Sequence, residues 1–194
     1  MSSMRTLVRA MLVAFFLAVG PALLAGPAPV AADEATDRAA ALDALFAQLR
    51  DAPDAASAQA IDDKIWAFWT TPADPDLASR MREILIARST GRIPTALALL
   101  DELVVDYPSY SEGWNQRATL FYVIGEFERS IADCAKVLEL EPRHFGALSG
   151  RALMYLQLGQ RELALKDMRA ALAIHPFLSE AQLFPELSQP MTHA

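Results

Sequence analysis

Apolar residues recur along this chain at helical spacing, and the arrangement itself repeats. Trp114, Ala118 and Phe121 fall at i, i+4 and i+7, on one face of a helix. Gly125 permits a tight turn, after which Phe127, Ser130, Ile131, Cys134, Val137 and Leu138 form the inner stripe of a second helix over 126–140. Pro142 cannot continue that helix and closes the hairpin. At an offset of 34 residues the pattern returns as Leu148, Ala152, Tyr155, Gly159, Ala164, Leu165, Met168, Ala171, Leu172 and Pro176. Extended backwards, the same frame collects Gly91, Ala96, Leu97, Leu100, Leu103, Val104 and Pro108. Such a period predicts stacked helical hairpins, in units 77–110, 111–144 and 145–178. Ala118 and Ala152 are expected where the two helices of a hairpin approach most closely, with Ser130 and Ala164 opposite. Asp74-Pro75 opens the first unit as N-cap and first helical residue, and Pro94 opens its second helix in the same way.

The flanks are helical but out of phase. Leu42, Leu45, Phe46 and Leu49 predict a helix over 35–51, Ala52-Pro53-Asp54 a turn, and Ile61, Ile65, Trp66 and Trp69 a second helix over 55–69. Residues 33–76 are therefore expected to form a degenerate hairpin capping the open N-terminal end of the array. Trp66, Phe68 and Trp69 are expected to fill its core, a ligand platform being the alternative. After Leu178, Ser179 and Gln182 have capping-box spacing and Pro185 stops the chain. A short capping helix and a disordered tail are expected over 179–194.

Residues at these positions resemble the tetratricopeptide repeat (TPR) family, whose consensus places an aromatic, a small residue, a second aromatic, glycine, alanine and proline at the points occupied here by Trp114, Ala118, Phe121, Gly125, Ser130 and Pro142 and their equivalents. The match departs at Arg80 and Leu148, which stand at the first aromatic position, and at Arg117, which replaces a leucine. The resemblance implies an all-α, right-handed α-solenoid of antiparallel helix pairs. It also implies a non-enzymatic protein-binding role, with the first helix of each unit lining a concave groove that grips a peptide or a partner helix. The second, fifth, ninth, twelfth and thirteenth positions of each unit share that face. Arg88, Asn115, Thr119, Tyr122 and Gln157 are the candidate protein-binding residues among them, set in apolar surroundings that include Met81, Leu85, Leu153 and Leu156. Family members that clamp chaperone C-termini carry lysine and asparagine at the fifth and ninth positions. Met81 and Leu85 stand there in the first unit, which argues against that specificity.

Composition narrows the setting. Arg5 and Arg9, an apolar run over 10–24, the Gly20-Pro21 break and Val30-Ala31-Ala32 have the layout of a signal peptide cleaved after Ala32. The run is shorter than the roughly 20 residues a spanning helix prefers. A periplasmic or secreted protein is expected, with an uncleaved inner-membrane anchor as the alternative. Loss of two arginines and no acids would take the net charge from −7 to −9. That balance argues against nucleic acid as a partner and against insertion into a membrane after cleavage. A lone cysteine, Cys134, gives no internal disulfide. His144, His175 and His193 are scattered, at no metal-ligand spacing, and the first two are expected in surface loops. No catalytic, cofactor or metal constellation emerges, so an adaptor for an envelope protein is expected, with an assembly or chaperone-like factor for exported proteins as the alternative. Arg117 with Asp133 and Arg151 with Asp167 recur at a spacing of 16, while Glu83 and Leu99 replace both partners in the first unit. Each pair is expected to bridge a first helix to a second, within a unit or across the stack, binding of an anionic ligand being the alternative.

Overall fold

Phase and punctuation together place the helices. The computed structural model describes residues 29–187, with side chains from Thr36 onward, and these form eight α-helices and no strand. They are α1 (Pro29–Arg50), α2 (Ala55–Thr70), α3 (Pro75–Ser89), α4 (Ile93–Asp106), α5 (Ser111–Val123), α6 (Phe127–Leu140), α7 (Phe145–Gln157) and α8 (Arg161–Ile174). Residues from Asp37 on form one unit, and of the chain before it only the start of α1 is described. Most of the expected leader, and the tail after Leu187, lie outside the described residues. No helix among the described residues is long and apolar enough to cross a membrane.

Caps explain the boundaries. Asp54 Oδ1 accepts the Ser57 N–H at 2.7 Å and Asp74 Oδ1 the Leu77 N–H at 2.8 Å, each satisfying an orphan donor at a helix start. Gly91, Gly125 and Gly159 have φ of +70°, +81° and +71°. At each, the following N–H reaches back five residues, Arg92 to Ala87, Glu126 to Phe121 and Gln160 to Tyr155, all at 2.8 Å. That bond closes a Schellman turn, which needs the left-handed conformation glycine adopts without strain. A Cβ at any of the three would meet nothing within 4 Å, so conformation alone selects glycine there.

Helix pairs α5–α6 and α7–α8 pack closely through small residues. Ala118, Ala152, Ser130 and Ala164 are all buried, and Ser130 Oγ donates to the Ala118 carbonyl at 2.5 Å across the first of these crossings. In α3–α4 the equivalent of Ala118 is Ile84, also buried, and its bulk holds those two helices further apart.

Two expectations about the flanks fail. The α1–α2 hairpin does not sit as a cap on the open end: its core of Leu42, Phe46, Leu49, Ala58, Ile65 and Trp69 is completed by Phe145, at the start of the third unit, with Ile174 and Leu178 packed against it. Large aliphatic and aromatic side chains with no partner face in the adjacent unit find one across the array. Arg143 holds the junction, donating to Asp43 Oδ1 of α1 at 2.6 Å with its guanidinium over the Phe46 ring. At the other end a short helix does start at Ser179, wound as 3₁₀ over Ser179–Leu183 and again over Pro185–Leu187, but the expected capping box fails. Ser179 makes no capping bond, because Leu178 holds the N-cap position, and Phe184 just beyond is fully buried in the α7–α8 core.

Candidate functional site

Parallel packing of first helices brings their N-terminal turns together, and the described structure concentrates its buried polarity there. Glu112, the second residue of α5, and His144, immediately before α7, are both completely buried. His144 Nδ1 accepts the Ala147 N–H at 3.1 Å and so caps α7. The ring proton therefore sits on Nε2, 3.0 Å from Glu112 Oε2. Asn115 Nδ2 donates to the same oxygen at 3.1 Å and Gln116 Nε2 to Oε1 at 2.5 Å. Gln116 Oε1 in turn accepts from Arg88 Nη1 at 2.6 Å. A buried carboxylate is tolerated only when donors surround it in this way.

Helix α2 roofs this network. Trp69 stacks on the His144 ring at 3.9 Å between centroids and 7° between planes, and Trp66 meets the same ring edge-on at 5.6 Å. Tyr110 Oη donates to the Trp69 carbonyl at 2.5 Å, and burial beside the Glu112 charge pushes its phenol well above the usual range. Gly146 makes the contact feasible: a Cβ there would lie 2.7 Å from the Trp66 ring. Thus the tryptophans serve packing, as expected, but inside the concave face rather than at the array's end. His144 and His175, at 0% and 4% exposed, correct the expectation of loop histidines.

The candidate groove residues divide. Asn115 is buried on Glu112, and Thr119 donates its hydroxyl to the Asn115 carbonyl at 2.9 Å. Arg88, Tyr122 and Gln157, near the C-terminal ends of α3, α5 and α7, stay open to solvent. Beside them Ile86, Val123 and Ile124 are 50%, 61% and 47% exposed.

The recurring ion pairs are struts. Arg117 forks onto Asp133 with bonds of 2.7 and 2.8 Å, and Arg151 onto Asp167 with bonds of 2.6 and 3.0 Å, each within one hairpin. Arg117 also reaches Asp101 of α4 at 2.9 Å, tying adjacent units. Its protonated form is held by these acids, the Asp133 bond foremost. The thiol of Cys134, between the struts, is pushed up to about 12 by burial and is no nucleophile. Among the described residues no three His, Cys, Asp or Glu side chains converge for a metal.

Known proteins share the repeat fold. The tetratricopeptide repeat family model matches residues 115–179. A TPR repeat-containing protein of Rhizobium etli is 39% identical over 141 residues, which span 73% of this chain and 69% of that protein. The chain belongs to the tetratricopeptide repeat family. Solved TPR structures share the fold: the first TPR domain of Spaghetti bound to an Hsp90 peptide (TM-score 0.54, 19% identity, 58% of this chain and 94% of that one), and a TPR protein from Parabacteroides merdae (TM-score 0.52, 24% identity, 76% and 57%). The TPR2B domain of yeast Sti1 in its Hsp70 complex scores 0.51 at 21% identity, over 60% and 93% of the two chains.

Within the TPR frame, the second and fifth groove positions of the middle unit carry Glu112 and Asn115, which bond each other. Met81, at the fifth position of the first unit, is fully buried. The start of this TPR groove thus holds a carboxylate of its own and has no exposed lysine–asparagine pair for a peptide carboxylate. Sequence reasoning missed the Glu112–His144 contact, although their separation of 32, two short of the period, places both at neighbouring first-helix starts.

Proposed function

We propose that this TPR protein acts in the bacterial envelope as an adaptor, gripping a peptide or helix of an envelope protein along the open, C-terminal edge of its first helices. A protein-interaction module is what the family supplies, and the exposed apolar set Ile86, Tyr122, Val123 and Ile124 is the observation that carries the choice of surface. Exposed apolar side chains flanked by polar residues are typical of partner surfaces, and Arg88 and Gln157 are exposed polar handles near the C-terminal ends of α3 and α7. Occupation of the groove's other end by Trp66 and Trp69 argues for this edge over the full concave face. The signal-like leader, with cleavage after Ala32, supports export.

A photoreactive residue at Tyr122 in the native envelope tests this reading. One dominant cross-linked partner is expected, with none from a probe at buried Asn115. A broad ladder of unfolded clients would favour an assembly or chaperone-like factor instead, and no adduct from Tyr122 would refute the edge. N-terminal sequencing of the exported protein checks cleavage after Ala32.

A further inference from the structure

Beyond the open edge, α2 leaves a gap where it crosses the third unit. The start of α7, the turn after α8 and α2 enclose a cavity of about 200 Å³, walled by Gln59, Asp62 and Trp66 on one side and by Ser149, His175 and Glu180 on the other. Folding leaves two of its polar groups over. Asp62 Oδ1 is shielded from solvent and has no well-aligned hydrogen-bond partner, the Trp66 indole N–H lying beside the carboxyl without completing one, while Oδ2 accepts from Gln59 Nε2 at 3.3 Å. Buried polar atoms without partners are rare enough to need an explanation. His175, 4% exposed, accepts the Phe177 N–H on Nδ1 at 3.2 Å. Its ring proton is therefore on Nε2, where no acceptor is found among the described residues.

We propose that this cavity binds an organic cation, a guanidinium or primary ammonium on a narrow aliphatic stem. The free Asp62 oxygen is the hydrogen-bond acceptor, Glu180 adds a second negative charge, and no lysine or arginine lines the space to neutralise them. Trp66 and Phe145 line the same cavity with aromatic rings, the surroundings that favour cations. The volume is below that of typical drug-sized sites, about 300–1,000 Å³, and suits a few heavy atoms. His175 Nε2–H is placed to donate to a carbonyl on the stem, which a basic residue of a peptide would supply through its own backbone.

The test is a titration of the full exported chain, with the Trp66 indole N–H followed by NMR. Probes are butylammonium, butylguanidinium and N-acetyl-arginine methylamide, with neutral butanol as control. At least one cation should shift the resonance saturably while butanol does not, and Asp62→Asn should weaken that binding at least tenfold without unfolding the protein. Affinity should rise from pH 5 to pH 7, because desolvation, Asp63 and Glu180 push the Asp62 carboxyl up to about 6 against the Trp66 and Gln59 side chains, while burial lowers the pKa of His175. If the capped arginine binds at least tenfold more tightly than butylguanidinium, the source is a partner's basic side chain; equal affinities indicate a free amine. No shift with any cation, an equal response to butanol, or unchanged binding in Asp62→Asn overturns the proposal. None of these readings depends on a partner at Tyr122, so the two sites fail or stand separately.

Discussion

Two kinds of hairpin share this molecule, and different forces hold them. In α5–α6 and α7–α8, small residues let the helices approach and a buried Arg–Asp fork locks each pair. Among the described residues, the leading hairpin α1–α2 has no such fork. Arg38 of α1 donates to the Phe68 and Thr71 carbonyls at the end of α2, at 2.6 and 2.7 Å, and the rest of the joint is aliphatic and aromatic. Its apolar core is shared with α7, so its stability is conditional on the array. The second and third repeat hairpins each carry a clasp within themselves; the leading hairpin borrows part of its core.

The sharpest break of that comparison is removal of a clasp. Arg151 has Asp167 as its acid partner, so Asp167→Ala strands a largely buried guanidinium and should cost about 3–5 kcal/mol in urea unfolding. Asp133→Ala should cost less, because Arg117 keeps Asp101. A double-mutant cycle at Arg151 and Asp167 that shows no coupling would remove the strut from the account. Trp69→Ala should cost a similar amount, about 3–5 kcal/mol. Its hydrogen-exchange pattern should differ, protection being lost first in α1–α2 while α5–α8 keep theirs.

Smaller effects sharpen the contrast. Gly146→Val should push Trp66 off α7 at about 1–3 kcal/mol, whereas Gly150→Ala, where a Cβ meets nothing within 4 Å, should be tolerated. Tyr110→Phe should cost about 1 kcal/mol through loss of the bond to the Trp69 carbonyl, read from the thermal midpoint. Asp62→Asn should show the least effect and the opposite sign. The folded-state value of about 6 lies above the ordinary carboxylate value, so the favourable contribution of the protonated carboxyl is present at low pH and lost as pH rises through about 6. The variant should therefore melt higher than wild type at pH 7–8 and equally at pH 4.

The repeats were legible in the sequence because their punctuation is local. Gly91, Gly125 and Gly159 each end a helix by their own conformation, and Asp74 caps α3 through a bond three residues away. Pairing of Arg117 with Asp133 was legible because period and hairpin together specify which faces meet. What stayed hidden depends on docking. The stripe of Ile65, Trp66 and Trp69 marks a buried face on α2, but a face does not name its partner, and no repeat phase extends into that region to supply one. Glu112 and Asn115 occupy positions that are groove surface in the repeat frame, and they become interior because α2 lies over them. The same gap hid the exposed edge, which is defined by what α2 leaves uncovered. Ser179 and Gln182 have the spacing of a capping box, yet the segment winds as 3₁₀ with Leu178 at the N-cap, so no capping bond forms.

The ion pair between Asp43 and Arg143 joins residues 100 apart. An open solenoid has only neighbour contacts, so it can gain or lose units and can fold from any point outward. Here the chain's early part is stapled to its late part, and the one-dimensional stack becomes a closed loop of contacts. Contacts of such long sequence separation slow folding. A fragment ending after α6 would lack the surface that completes its first hairpin, so this protein cannot be trimmed or lengthened one repeat at a time.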